Sequence, residues 1–234
     1  MLYCIQQFNN INNILKGRRF VDIESHDYGG NLVMPWYGIK RPGLDYYLSN
    51  LNIYCFVIVK LTRYGQKNLI KVYDERAAGK NADALCSLRF NHYLSKYIKD
   101  RDNQELHKRA KYLFVIMDNC VGQNKSQVVL MMFSMLATIG LYDGIVLHFL
   151  EAGHSHGSPD VAIAHAKRVL KDNYDVPEEI VSAMNTVHGV DATYIDFRDA
   201  INPECQSDYP FRTGWESFFA EHYVPIPNMK GNSI

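Results

Sequence analysis

The sequence predicts an α/β protein built on a mixed five-stranded sheet, with three antiparallel strands followed by parallel α/β units and helices on both faces. Three observations predict it. Leu51 to Leu61, LNIYCFVIVKL, is a β-branched and aromatic run, and Tyr64-Gly65-Gln66-Lys67-Asn68 follows it as a hairpin turn. Tyr112 to Met117 is a continuous apolar run without Gly or Pro, of the length that suits a strand buried on both faces. Beyond it, helical and strand-like stretches alternate, the pattern of βαβ units.

Each element has its own signal. Ile5 to Leu15 reads as a short amphipathic helix stopped by Gly17. Phe20 to Asp27 alternates apolar and polar residues, the period of a strand, and Tyr28-Gly29-Gly30-Asn31 breaks it. Residues 35–47, with two prolines and two glycines, read as a loop. Leu69 to Tyr73 is the strand returning from the hairpin. A helix is expected from Ala82 to Ile98, apolar at Ala82, Leu85, Cys86, Phe90 and Tyr93. After the central strand, a helix runs from about Ser126 to Ile139, a turn is marked by Gly140 and Gly144, and Ile145 to Leu150 is a further strand. Ser158-Pro159-Asp160 opens a helix to about Lys171, with Ser158 as N-cap and Pro159 in first position. Pro177 to Asn185 is another helix and Ala192 to Phe197 a short strand. The tail holds Pro203, Pro210, Pro225 and Pro227 and reads as peripheral. The organisation expected is a helical extension over 1–17, a core over 18–175, and a helical and irregular extension over 176–234.

The 25 basic and 25 acidic residues cancel, so the chain is not basic overall, although a local basic face is compatible with this balance. The five cysteines are scattered with no C-x-x-C pair, which argues against a zinc ribbon or a disulfide framework and for reduced thiols inside the cell. The first residues are interrupted by Gln and Asn and lack the apolar run of a signal peptide, and no stretch is apolar enough to span a membrane.

Asp118 stands at the carboxyl end of the central strand, just before a helix, where open α/β sheets place chemistry. Asp and Asn also favour turns and caps, so this stretch alone leaves both roles open.

Three segments carry a resemblance. DYGGNLVMP, Asp27 to Pro35, is like a D-Y-x-Q-N-l-x-x-P motif and is followed by the pair Tyr46-Tyr47. MDNCVGQNKS, Met117 to Ser126, is like D-N-C-x-G-Q-N-K-N. GHSHGSPD, Gly153 to Asp160, is like G-H-T/S-x-x-x-x-D at the head of a helix. Over roughly Asp22 to Leu170 the chain resembles a transposon-derived family with a ribonuclease-H-like DDE/DDD core. Asp74-Glu75 and Cys86 fall where that family has an acid and a cysteine. Gly30 departs from it, standing where Gln is usual, and nothing resembles a separate DNA-binding domain.

The resemblance implies a ribonuclease-H-like fold and phosphoryl transfer on DNA, in the nucleus, with a homo-oligomer left open. Such chemistry uses two Mg²⁺ or Mn²⁺ ions about 3.5–4 Å apart, and hard ions take carboxylate oxygens rather than thiols. Asp118 would bridge the ions, Asp27 hold both and Asp160 complete one. Glu151 rivals Asp160 as third acid. Asp22 rivals Asp27 if a bulge shifts the register, because residues 22, 24 and 26 share one face of the strand and Asp27 the other. Lys125 and Asn124 would either touch phosphate from the start of their helix or serve as a plain cap, and His154 and His156 would shape the loop or contact the scissile phosphate. A zinc site on those histidines and Asp160 is the weaker alternative, since His148 and His165 do not complete a zinc pattern. The connector KDRDNQELHKRAK offers basic side chains to the same nucleic acid. A domesticated, inactive relative that only binds nucleic acid or protein is the competing function.

Overall fold

The computed structural model describes residues 21–38, 43, 49–62, 64–106, 109–120, 123–151, 157–196, 198 and 211–224. In chain order its elements are β1 (Val21–Tyr28), β2 (Leu32–Met34), β3 (Trp36–Tyr37), β4 (Leu51–Thr62), β5 (Gly65–Asp74), α1 (Ala82–Asp102), β6 (Tyr112–Met117), α2 (Gln127–Thr138), β7 (Gly144–Phe149), α3 (Ser158–Lys167), β8 (Asn173–Tyr174), α4 (Pro177–Met184), β9 (Val190–Ile195) and α5 (Trp215–His222). The helix expected over Ile5 to Leu15 lies outside the described residues.

The fold is mixed α/β on a mixed sheet ordered β7-β6-β1-β4-β5-β9, with β2 pairing β4 from off this path. β4 is antiparallel to β1 and β5 is antiparallel to β4, while β6 runs parallel to β1 and β7 parallel to β6. The sheet has seven strands, not the five expected, because β2 and β9 join it. β9 lies in the segment read as an extension. It adds to the outer edge of β5 in parallel, from Asn68↔Val190 to Tyr73↔Ile195, a pairing across 122 positions that no local pattern displays. β3 and β8 form a separate two-stranded ladder inside and beyond the stretch expected as loop. The hairpin is tighter than expected: Thr62 already pairs Gly65. Ladder hydrogen bonds are made by backbone alone, so the polar residues Gln66 to Asn68 extend the strand without an apolar signal.

Each face of the sheet has a core. On one, Phe56, Tyr73, Leu113, Val115 and Met117 pack against α1, α2 and α5. On the other, Val57, Val59, Ile70 and Val72 pack against α3 and α4. α2 forms between a Ser126 cap, whose side chain accepts from Val129 N, and Gly140, whose positive φ of 76° lets the chain turn away. It buries Val129, Met132 and Leu136, each worth about 1.5–3 kcal/mol relative to exposure. The tail is not peripheral throughout: Trp215 and Phe219 of α5 are buried in the first core. Among the described residues no helix is long and apolar enough to cross a membrane.

Because β1, β6 and β7 are parallel, their carboxyl ends share one edge of the sheet. That edge carries Asp27, Asp118 and the approach to α3.

Candidate active site

Asp27 is the seventh residue of β1, and the ladders on both sides of it are regular. Without a bulge it stays on the face opposite Asp22, Glu24 and His26. The β1–β6 register ends on His26↔Met117, and one further step sets Asp27 beside Asp118. Asp118 directly follows the last residue of β6, and its charge reaches Asp27. Burial, then the negative charge of Asp118, and at longer reach that of Asp160, push the Asp27 carboxyl up to about 6. A hydrogen bond from Tyr28 N at 2.7 Å and the charge of Arg89 oppose the rise.

Asp160 comes from α3. That helix starts at Ser158 with Gly157 as its N-cap, one residue earlier than expected, and Asp160 Oδ2 accepts from Gly157 N at 3.0 Å. Such a contact is what an acid at the third helical position does in any helix, so Asp160 serves the fold as well as the edge. Gly29 decides how near α3 comes: a Cβ there would lie 2.7 Å from Ile163 Cγ1. Glu151 is exposed just past the end of β7. Asp22 is committed elsewhere, five residues back on the other face. Lys60 lies 2.9 Å away, Lys96 closer, and Tyr142 Oη donates at 3.3 Å. Burial pushes the Asp22 carboxyl up, but the two lysines more than offset this and hold it below its ordinary value. β1 is thus regular through Asp22, and the two lysines clamp that carboxylate on the other face.

Asn124 is 2% exposed, and its side chain is used inside the protein. Its Nδ2 donates to Asp118 Oδ1, and its Oδ1 accepts from Arg89 Nη2. Arg89, on α1, is wholly buried and also donates from Nε to His26 Nδ1 at 3.3 Å. The sequence reading missed it. The signal was there: Arg89 falls on the stripe of Leu85, Cys86, Phe90 and Tyr93, and a cation on an apolar helix face implies a buried partner.

Lys125 is half-buried at the same edge, its Nζ 5.8 Å from the ring centre of Phe149. Two further lysines join it. Lys80 Nζ sits over the rings of Tyr28 and Tyr54, at 4.9 and 5.3 Å, and Lys167 Nζ donates to Gly30 O at 2.5 Å. Burial and the nearby Lys167 draw the Lys80 ammonium down, while Cys55 and Asp27 pull the other way. The basic connector does not belong here. It precedes β6, a six-residue strand, and so lies about 20 Å from Asp118 at the opposite end. Arg109 pairs Asp100 there at 3.3 Å and Lys111 pairs Asp143 at 3.9 Å. His154 and His156 lie outside the described residues. Asp74 is clasped by Arg76 and by Tyr194, and burial pushes the Cys86 thiol up to about 12, so both are structural.

Among the described residues, no three His, Cys, Asp or Glu side chains stand close enough together to hold a metal ion. The acids at this edge offer oxygen donors only, and burial first, then the charges of Asp118 and Asp160, disfavour the ionised form of Asp27.

Residues 65–207 match a family described as "Domain of unknown function (DUF7869)", and the chain belongs to that family. The matched span includes Arg89, Asp118, Asn124 and Asp160 and begins after Asp27. No curated protein and no solved structure matches the chain.

Proposed function

We propose that this protein is a divalent-metal-dependent nuclease or strand transferase of transposase type, acting on DNA phosphodiesters. The observation that carries the reading is Asp27 near the end of β1, within electrostatic reach of Asp118, which directly follows the neighbouring parallel strand β6, and of Asp160. The strand plan supports a ribonuclease-H-like core: β1, β4 and β5 are antiparallel, and β6 and β7 follow in parallel on the other side of β1.

Asp27 and Asp118 are the residues that would hold Mg²⁺ or Mn²⁺, with Asp160 as the third acid. A metal bound there supplies Lewis-acid activation of the attacking water or hydroxyl and neutralises charge on the leaving oxygen. Asp27 would give up its proton on binding such a cation. Lys80, Lys125 and Lys167 add positive charge at this edge, of the kind that a phosphate backbone needs, with Lys80 over the rings of Tyr28 and Tyr54 and Lys125 near that of Phe149. The competing reading, an inactive binding module, draws support from the lack of a closed ligand cage among the described residues.

Supercoiled DNA incubated with the protein and Mn²⁺ separates the two. Nicking that chelator and Asp118→Asn both abolish is the expected result. Binding to DNA without cleavage, at any Mn²⁺ concentration, would favour the module.

A further inference from the structure

Arg89 is an expensive residue to bury. Its guanidinium is 0% exposed, lies between the rings of Phe56 and Phe133 at 5.4 and 5.6 Å, and among the described residues its Nη1 has no hydrogen-bond partner. An apolar side chain of similar volume would pack at such a place with less desolvation. What a guanidinium adds is direction, because it donates and never accepts.

The direction runs both ways from Arg89. Towards the site, Arg89 Nη2 needs an acceptor, so the Asn124 amide must present Oδ1 to it. That leaves Nδ2 facing Asp118, whose carboxylate oxygen can only accept when ionised. Away from the site, Arg89 Nε meets His26 Nδ1, which must therefore be the bare nitrogen of a neutral ring. His26 Nε2 then donates to Glu24 Oε2 at 3.1 Å, which also accepts from Tyr93 Oη at 3.0 Å. A single buried cation thus stands between two acids, Glu24 and Asp118, and reaches each through one neutral side chain.

We infer that Arg89, acting through Asn124, is a positioning residue that orients the Asp118 carboxylate for its place beside Asp27. The inference rests on the reading of Asp27 and Asp118 as the working pair. An asparagine amide turned the other way would aim its oxygen at Asp118 and repel it. Arg89 forbids that orientation. The arrangement is that of an outer partner holding a ligand, a role whose loss weakens metal binding by about 10–100-fold in metal sites generally.

The test has a metal-free arm and a metal arm. In the first, the side-chain amide protons of Asn124 are followed by NMR hydrogen exchange in wild type, Arg89→Met and Arg89→Lys. The lysine variant keeps the charge but lacks the fork that serves His26 and Asn124 together, so it carries the test if the methionine variant does not fold. The expected result is slow exchange in wild type and exchange faster by about 10-fold or more in a folded Arg89 variant. In the second arm, Mn²⁺ affinity is read from the free-ion EPR signal, and Asn124→Ala is expected to weaken it by about 10-fold or more with melting still cooperative. Protection of the Asn124 amide that survives loss of Arg89 overturns the inference, as does Mn²⁺ affinity unchanged in Asn124→Ala. A wild type that binds no Mn²⁺ but shows the Arg89-dependent protection would instead retain the relay and sink the metal-dependent function.

Discussion

At the scale of single residues, Asp27 shows how geometry sets charge. Its carboxyl is ordinary in the unfolded chain, near 3.8, and is pushed up to about 6 in the fold. The folded state therefore holds a proton that the unfolded state has lost whenever the pH lies between those values. Stability attributable to Asp27 is greatest below pH 3.8 and falls as pH rises to about 6. A shift of this size is worth at most about 3 kcal/mol, less with solvent screening. Asp27→Asn removes the titration, so urea melts should show the variant gaining on wild type between pH 4 and pH 6 by about 1–3 kcal/mol. A constant difference across that window would mean that the fold does not raise the Asp27 carboxyl. Asp118 was legible in sequence because a buried strand ended on it. Arg89 showed in sequence only as a cation on an apolar helix stripe; which partners it takes did not, since His26 and Asn124 lie 63 and 35 positions away. Asn124 was noticed for its motif, but its bonds to Asp118 and Arg89 were not foreseen. Its exposed-looking place before a helix concealed that the amide turns inward, to 2% exposure.

At the scale of elements, the placement of α3 depends on one missing side chain. Gly29 lies directly under Ile163, and the 2.7 Å that a Cβ would leave is less than any real contact allows. Gly29→Ala must displace the helix that carries Asp160 or strain the end of the strand that carries Asp27. Thermal melts should show a loss of about 1–3 kcal/mol, the usual toll of overpacking. Ile163→Ala in the same background should restore part of it, and no recovery would mean that the strain lies in the backbone rather than in this contact. Strands with a buried core on both faces, β4 and β6, were readable residue by residue from their apolar runs. β2, β3 and β8 were not, because two or three residues carry no period. The hairpin was misread in length for the same reason: Gly65 to Asn68 pair through backbone while their side chains are polar.

For the whole molecule, the order of antiparallel and parallel strands followed from the order of hairpin and α/β units, but the sheet's full width did not. β9 closes on β5 from the far end of the chain, and α5 covers the opposite face with Trp215 and Phe219. Both are long-range contacts, chosen by which edge and which apolar surface remain uncovered, and no local pattern states that. The same topology sorts the charges. The basic connector is carried to the amino end of β6, whereas Lys80, Lys125 and Lys167 gather near the acids at the carboxyl end. The central claim is that this end is built around one acid pair that takes a divalent cation. Calorimetric titration of Mn²⁺ into the protein near pH 6, in two buffers of different ionisation heat, tests it most directly. Wild type should bind the ion and release protons as Asp27 ionises, and Asp118→Asn should lose most of the affinity. Binding of equal strength in Asp118→Asn, or no binding by wild type, would contradict it.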